Sequence, residues 1–235
     1  MPPPALVAEY VAAIAHELSF DPALARRVSA EVEDHLLEAL GDQPAASSGA
    51  PEELIAAFGQ PRELACEFAS AWAFALARRM TAVLAVAVLG VFVVMNGRSA
   101  WYQWVEWRAG KLLQAVYGFG LPVNRVAFAL ALALSFAALL STVTRGAPLR
   151  VDESCCRRIR GSLRLSTIAL LVLFAAIAAE TVLMSARFAE VELNRLFVLP
   201  ALTLAVEALL AAVCAVYLIM ASRRLARALA LVEHS

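Results

Sequence analysis

Apolar and polar positions divide the chain into a polar first third and a strongly apolar remainder, with the boundary near residue 77. The apolar part contains four runs with few or no charges, at about 80–97, 126–144, 165–184 and 196–221. Each approaches the roughly 20 residues that a helix needs to cross a bilayer. We therefore predict an all-α protein, with a small helical N-terminal domain at 1–77 and a four-helix transmembrane bundle at 78–235.

The N-terminal third has helical periodicity and clear signals for helix starts and ends. Apolar residues recur every third or fourth position, and Gly41 and Gly59 each follow such a segment. Asp21 precedes Pro22 in the manner of a helix cap before the first helical residue. Helices are predicted at 5–18, 22–40 and 51–58, with a mobile linker at 42–50 and a fourth helix that begins at Pro61 and continues into the first span.

Charge separates the same two parts of the chain. Residues 1–77 contain twelve acidic and three basic residues, whereas residues 78–235 contain eight acidic and seventeen basic residues. Direct nucleic-acid binding by the N-terminal domain is disfavoured, because contacts to phosphates need a basic surface. The charge pattern instead favours a protein partner for the acidic domain and lipid around the apolar spans.

Basic residues near the span ends predict the orientation in the membrane. With the N-terminus inside, eleven arginines lie on the cytoplasmic side and six basic residues on the other side. Four spans place both termini on one face, so we expect an inner-membrane protein with cytoplasmic N- and C-termini. Residues Pro2–Pro4 do not resemble a secretory signal. The four cysteines do not form a secreted disulfide framework, which fits a reducing compartment.

The predicted outer loop at 97–125 is rich in aromatic residues, including Trp101, Trp104 and Trp107. Amphipathic rings settle at the headgroup level of a bilayer. We therefore predict an interfacial helix along the outer membrane surface, with an extracytoplasmic ligand lid as the alternative.

Three segments of the N-terminal domain form a recognisable pattern: the first helix with Tyr10, the acidic run from Glu31 to Leu36, and the turn at 58–61 (Phe-Gly-Gln-Pro). Together they resemble the HAAS-type signalling domain of bacterial membrane proteins, over about residues 4–77. The resemblance implies signalling by protein contact at the cytoplasmic end of a small membrane protein, with no catalytic residue. It also implies an association with transcriptional control, often beside PadR-like repressors. The Pro-, Ser- and Ala-rich break at 44–51 departs from the pattern and bears on the docking of the third helix.

The second helix and the following turn provide the candidate partner-binding residues. They are Glu31, Glu33, Asp34, His35, Glu38, Phe58, Gly59 and Pro61. A solvated helix face is the alternative for the acidic run. Glu31, His35 and Glu38, with His16, also have spacing that suits a metal ion. We expect no metal, because an i, i+4 pair explains a packing histidine bonded to Glu31 or Glu38.

Two acids interrupt the predicted spans, and an ionisable group in hydrocarbon is a functional hypothesis by default. Glu180 is expected near the outer surface, paired with Arg187 or Arg195. Glu207 is expected near mid-bilayer, either protonated or facing Thr203, Thr167 or Ser135. We expect Glu207 to hold helices together, with a conduction site as the alternative, because no second acid at matching depth is predicted.

Cys155 and Cys156 lie among arginines in the predicted cytoplasmic loop, and a basic environment favours the thiolate. We expect ordinary loop cysteines, with a redox switch as the alternative. Zinc is not expected, because adjacent cysteines lack the usual ligand spacing. No motif for phosphate binding, dinucleotide binding or hydrolysis occurs, and we expect neither an enzyme nor a cofactor.

These patterns lead to three functional hypotheses. We prefer a membrane regulator whose acidic domain binds a transcription regulator, either a PadR-type repressor or a sigma factor held inactive. The competing hypotheses are a small transporter or permease subunit that uses Glu207, and a structural scaffold. The sequence leaves self-association into a homo-oligomer open.

Overall fold

The computed structural model describes residues 3–41, 50–109, 120–143, 153–190 and 198–233. These residues are helical apart from the short connections at 18–21 and 59–60, and they contain no strand, which confirms the all-α prediction. The helices are α1 (Pro3–Glu17), α2 (Pro22–Gly41), α3 (Ala50–Phe58), α4 (Pro61–Ala109), α5 (Gly120–Val143), α6 (Glu153–Glu190) and α7 (Val198–Glu233). Within the described residues, α4 to α7 each contain a stretch long and apolar enough to cross a membrane, as expected of a multi-pass membrane protein.

The helix boundaries in the N-terminal third have identifiable local causes. The Asp21 side chain accepts hydrogen bonds from the backbone N–H groups of Ala23 (2.9 Å) and Leu24 (3.0 Å), which satisfies the free donors at the start of α2. Gly59 ends α3 with a φ of 84°, a left-handed conformation that glycine adopts without steric cost. The predicted cap and stop signals are confirmed at both positions.

The chain folds as two compact units. The first comprises the residues up to Leu76, the start of α6 through Cys156, and the end of α7 from Ser222. The second comprises the described residues from Ala77 to the end of α5 and from Arg157 to Ala221. The last turns of α7, which the sequence analysis assigned to the transmembrane part, therefore belong with the N-terminal helices.

The first unit has a core built from the predicted apolar stripes of α1 and α2 together with small residues of α4. Ile14, Leu18, Val28 and Leu36 are fully buried. In the part of α4 that belongs to this unit, the fully buried positions are alanines spaced four apart, at 65, 69 and 73, whereas the larger Leu64, Phe68 and Trp72 are only partly buried. Leu231 and Val232 at the end of α7 pack against the same core.

Two polar contacts also join the end of α7 to the N-terminal helices. The Cys66 thiol lies 3.7 Å from the backbone oxygen of Leu231. Arg224 Nη1 lies 3.6 Å from Asp21 Oδ2, so the side chain that caps α2 also faces a guanidinium of α7. Residues near both ends of the chain therefore contribute to one unit.

The second unit consists of the apolar parts of α4 to α7. Thr81 of α4 and Thr142 of α5 are both buried, and their hydroxyl oxygens lie 3.1 Å apart, a contact that links two span helices. Two predicted loops are partly wrong, because α4 continues through residues 97–109 and α6 already begins at Glu153. The segment from Trp101 to Ala109 therefore continues a span helix and is not a separate interfacial helix. Residues 120–125 of the first predicted loop belong to α5. The remainder of the two predicted loops, at 110–119 and 144–152, and residues 42–49 of the predicted linker lie outside the described residues.

Candidate functional site

The predicted acidic strip lies on an exposed face of α2. Glu31, Glu33, Asp34 and Glu38 are exposed, and the intervening Val32 and Leu36 face the core. His35 is exposed as well, with 64% of its side chain accessible, and its Nδ1 lies 4.0 Å from Glu38 Oε2. The ring lies on the solvent side of the helix, so the expectation that it packs between helices is wrong, whereas the expected contact with Glu38 is found. We call Glu31, Glu33, Asp34, His35 and Glu38 the acidic face.

The turn between α3 and α4 has a structural role in the first unit. The Tyr10 hydroxyl donates a 3.1 Å hydrogen bond to the backbone oxygen of Gly59. Burial, and then the negative charge of Glu63, raise the pKa of the Tyr10 phenol above its ordinary value of 10.0, so the phenol stays a donor at neutral pH. Phe58 is partly buried against the core, and Pro61 occupies the first turn of α4. Whether these residues also contact a partner stays a prediction.

The other candidate side chains of the first unit are separated from one another. Among the described residues, no three or more His, Cys, Asp or Glu side chains converge as metal ligands. His16 lies away from His35, at a cavity of about 540 Å³ that is also lined by Glu17, Arg62 and Arg227. Cys155 and Cys156 are buried in the first turn of α6, so the expectation that they are loop cysteines is wrong.

The second unit contains a cluster of three buried charged side chains, one from each of α4, α6 and α7. Arg98 is 3% exposed, Glu180 is 5% exposed and Glu207 is fully buried. Arg98 Nη1 donates a 2.8 Å hydrogen bond to Glu207 Oε1. Arg98 Nη2 lies 3.6 Å from Glu180 Oε1, which is an electrostatic contact longer than a hydrogen bond. We call these three residues the buried triad.

The triad corrects several expectations about the membrane acids. Arg98 was expected in the outer loop but is buried in the second unit. Glu180 was expected near a helix end, yet α6 continues to Glu190. Its suggested partners, Arg187 and Arg195, have side chains outside the described residues. The two acids contact the same guanidinium, so the expectation that Glu207 lacks a second acid at its depth is wrong.

The hydroxyl partners suggested for Glu207 all have other roles. Each donates its hydrogen bond to a backbone oxygen of its own helix: Thr203 to Pro200, Thr167 to Leu163 and Ser135 to Leu132. Sequence reasoning therefore identified Glu207 and missed its partner. The missed signal was a single arginine after an apolar run, in a chain whose third and fourth predicted spans each hold an acid.

A cavity of about 270 Å³ lies beside the triad, lined mostly by apolar side chains of α4 and α7. Its lining residues are Val94, Gly97, Arg98, Trp101, Leu199, Pro200 and Thr203. Three buried polar atoms nearby have no hydrogen-bond partner: Arg98 Nη2, Trp101 Nε1 and Glu207 Oε2. The arrangement provides two donors and one acceptor that can bind a further proton or a small polar group.

Comparison with protein-family models, with curated proteins and with solved structures finds no match to this chain. The resemblance to HAAS-type domains therefore stays a prediction.

Proposed function

We propose that this protein is a membrane-anchored regulator whose acidic helical unit binds a basic surface of a transcription regulator. The observation that carries the proposal is the acidic face of α2, which presents four carboxylates to solvent while the opposite side of the helix forms the core. A face of this kind steers a positively charged partner and orients its capture. A PadR-type repressor and a sigma factor are the two candidate partners, in line with the resemblance to HAAS-type domains.

The C-terminal contribution to the unit leaves its charge strongly negative. Residues 222–235 bring three arginines and one glutamate to a unit in which residues 1–77 have twelve acids and three bases. The acidic excess therefore falls by only two charges. One of these arginines, Arg224, faces the buried Asp21, so it does not neutralise the acidic face.

In this proposal, a conformational change among the membrane-spanning helices controls whether the acidic unit binds its partner. In the proposal, the unit faces the cytoplasm at the inner membrane, as the distribution of arginines predicts. Both α4 and α7 contribute residues to each unit. A movement of these helices in the second unit can therefore be transmitted along the same helices to the unit that binds the partner. Release or capture of the partner would then follow the state of the second unit.

Reversing the charge of the acidic face tests this function. Replacing Glu31, Glu33, Asp34 and Glu38 together with lysine is expected to reproduce the transcript changes caused by deleting the gene, because the partner would no longer bind. Exposed Glu52 and Glu53 of α3, replaced with lysine, form the matched control and should leave transcripts at the wild-type level. Genome-wide transcript levels are measured in cells with equal amounts of membrane-inserted protein. A deletion that alters transcription, together with a charge-reversed chain that behaves as wild type, would contradict the proposal.

A second candidate function, a small transporter or permease subunit, is favoured by the buried triad. Charged side chains inside membrane spans commonly mark ion or substrate pathways. Measuring transcripts in the Glu207→Gln variant as well distinguishes the regulator from the transporter. Lost flux of a transported solute with unchanged transcripts, for that variant and for the deletion, would replace the regulator with the transporter.

A further inference from the structure

We propose that the solvent-facing side of α2 pairs reversibly, in antiparallel orientation, with the same side of a second copy of this chain. The residues that would form the contact are all exposed in the first unit: Ala23, Arg26, Arg27, Ala30, Glu33, Asp34 and Leu37. We call them the self-complementary strip. The inference concerns contacts between two copies and does not depend on the proposed regulatory function.

The strip follows the helical repeat along one side of α2. Its members lie three, four or seven positions from Ala30, and residues with that spacing share one face of a helix. Val28, Val32 and Leu36 are buried on the opposite side, where α2 contributes to the core. The strip is therefore the side of α2 that faces solvent.

The charges of the strip are symmetric in position and opposite in sign about Ala30. Arg26 and Arg27 lie four and three residues before it, and both are exposed. Glu33 and Asp34 lie three and four residues after it and are exposed as well. A twofold axis at Ala30 reverses the helix direction, so the two arginines of each copy lie opposite the two acids of the other.

The same charges specify the orientation of the pair. In a parallel pair, each arginine would lie opposite an arginine and each acid opposite an acid, and like charges placed together across an interface are costly. The antiparallel pair replaces every one of these repulsions with an attraction. Charge complementarity therefore favours a second copy of the chain in the antiparallel arrangement.

Side-chain sizes follow the same symmetry. Ala23 and Leu37 lie seven residues before and after Ala30. Leu37 is 46% exposed, and in the antiparallel pair it would lie against Ala23 of the second copy. Large side chains then face small ones at both ends of the contact, which lets two surfaces interdigitate. Ala30 meets its own copy at the axis, where a small side chain lets the helices approach.

The charged side chains of the strip are available for such pairing. Among the described residues, none of the four forms an ion pair within its own chain. Arg26 Nε donates a 3.2 Å hydrogen bond to the backbone oxygen of Pro22, and that bond does not use its two terminal nitrogens. The guanidinium can therefore bind a carboxylate of the second copy.

The pairing would also bear on the acidic face. Glu33 and Asp34 belong to both surfaces, so a second copy and a basic partner would compete for the same carboxylates. Exposed ion pairs contribute little individually, which makes the pairing weak and reversible. Confinement of two copies in one bilayer raises their effective concentration and favours the pair.

Disulfide cross-linking of the full-length protein in lipid vesicles tests the contact. Ala30→Cys places a thiol at the twofold axis, so mild oxidation should join two copies as a dimer. Ala12→Cys, at an exposed position of α1, is the matched control and should stay largely monomeric. The four native cysteines are buried and should not contribute.

Two charge variants of the Ala30→Cys chain test the pairing of charges. One carries Arg26→Glu and Arg27→Glu, which makes its strip entirely acidic. The other carries Glu33→Arg and Asp34→Arg, which makes its strip entirely basic. Each variant alone should cross-link about tenfold more slowly or less, because like charges then lie opposite each other. The two variants reconstituted together should regain fast cross-linking, as dimers that contain one copy of each.

Three results would overturn the proposal. The first is that Ala30→Cys cross-links no faster than Ala12→Cys. The second is that either charge variant alone cross-links as fast as the chain with its native strip. The third is that the mixture stays as slow as its components, while buried Cys66 keeps its native protection from a thiol reagent and so shows that the first unit is folded.

Discussion

Replacing Arg98 with methionine is expected to destabilise the second unit by about 3–5 kcal/mol, because removing one partner of a buried ion pair leaves an uncompensated charge. In this chain two carboxylates lose their common partner. Arg98→Lys keeps a cation at the same position and should cost less.

Native cysteines allow the loss of stability to be measured separately in each unit. Cys214 is buried in the second unit and Cys66 in the first, so the rate at which a thiol reagent modifies each one reports local opening. At roughly tenfold per 1.4 kcal/mol, Arg98→Met should accelerate modification of Cys214 by about two to three and a half orders of magnitude. Arg125→Met, at an exposed arginine of α5, is the control and should leave the rate unchanged.

A compensating variant separates the charge from the packing of the arginine. The triple replacement of Arg98 with Met and of Glu180 and Glu207 with Gln removes all three charges. It should recover most of the lost stability, because buried ion pairs can often be replaced by neutral groups of similar size. If the thiol reagent modified Cys214 as slowly in Arg98→Met as in the wild-type chain, the triad would not contribute to the stability of the second unit.

Shortening two leucines at the end of α7 is expected to destabilise the first unit. Leu225 is fully buried and Leu229 is 5% exposed, and both lie in the segment that belongs to the N-terminal unit. A buried Leu→Ala change costs about 2–5 kcal/mol. The two changes together cost at least about 4 kcal/mol, so Leu225→Ala combined with Leu229→Ala should accelerate modification of Cys66 by about three orders of magnitude.

The control for this double variant lies a few residues earlier on the same helix. Ile219 and Met220 are 52% and 56% exposed, so replacing both with alanine removes similar side chains without opening a core. Cys66 should then react at the wild-type rate. The account of a first unit built from both ends of the chain would be wrong if the two double variants left Cys66 equally protected.

Local chemistry explains which helices the sequence predicted well. Asp21 before Pro22 and Gly59 before Pro61 mark boundaries through capping and backbone conformation, which depend on a few neighbouring residues. Apolar spacing likewise predicted the buried stripes of α1 and α2, although Leu6 of the predicted stripe is 40% exposed. These signals act over one or two helical turns, so a single sequence contains them.

The features that were missed depend on contacts between distant residues. Arg98 pairs with acids 82 and 109 positions away, so the sequence offered no local reason to place it inside the bundle. Gly97 was taken as the end of a span, whereas α4 continues for three more turns. The alanines of α4 are buried because small side chains let helices approach closely, and hydropathy alone ranks the neighbouring aromatic residues above them.

The central functional claim requires the acidic face to meet cytoplasmic proteins, and its exposure to each side of the membrane is the most direct test. Glu33→Cys places a reactive thiol on that face, whereas the native cysteines are buried. In intact cells a membrane-impermeant thiol reagent should leave this cysteine unmodified, and it should modify it fully once the membrane is permeabilised. Complete modification in intact cells would place the acidic face outside the cytoplasm and contradict capture of a transcription regulator.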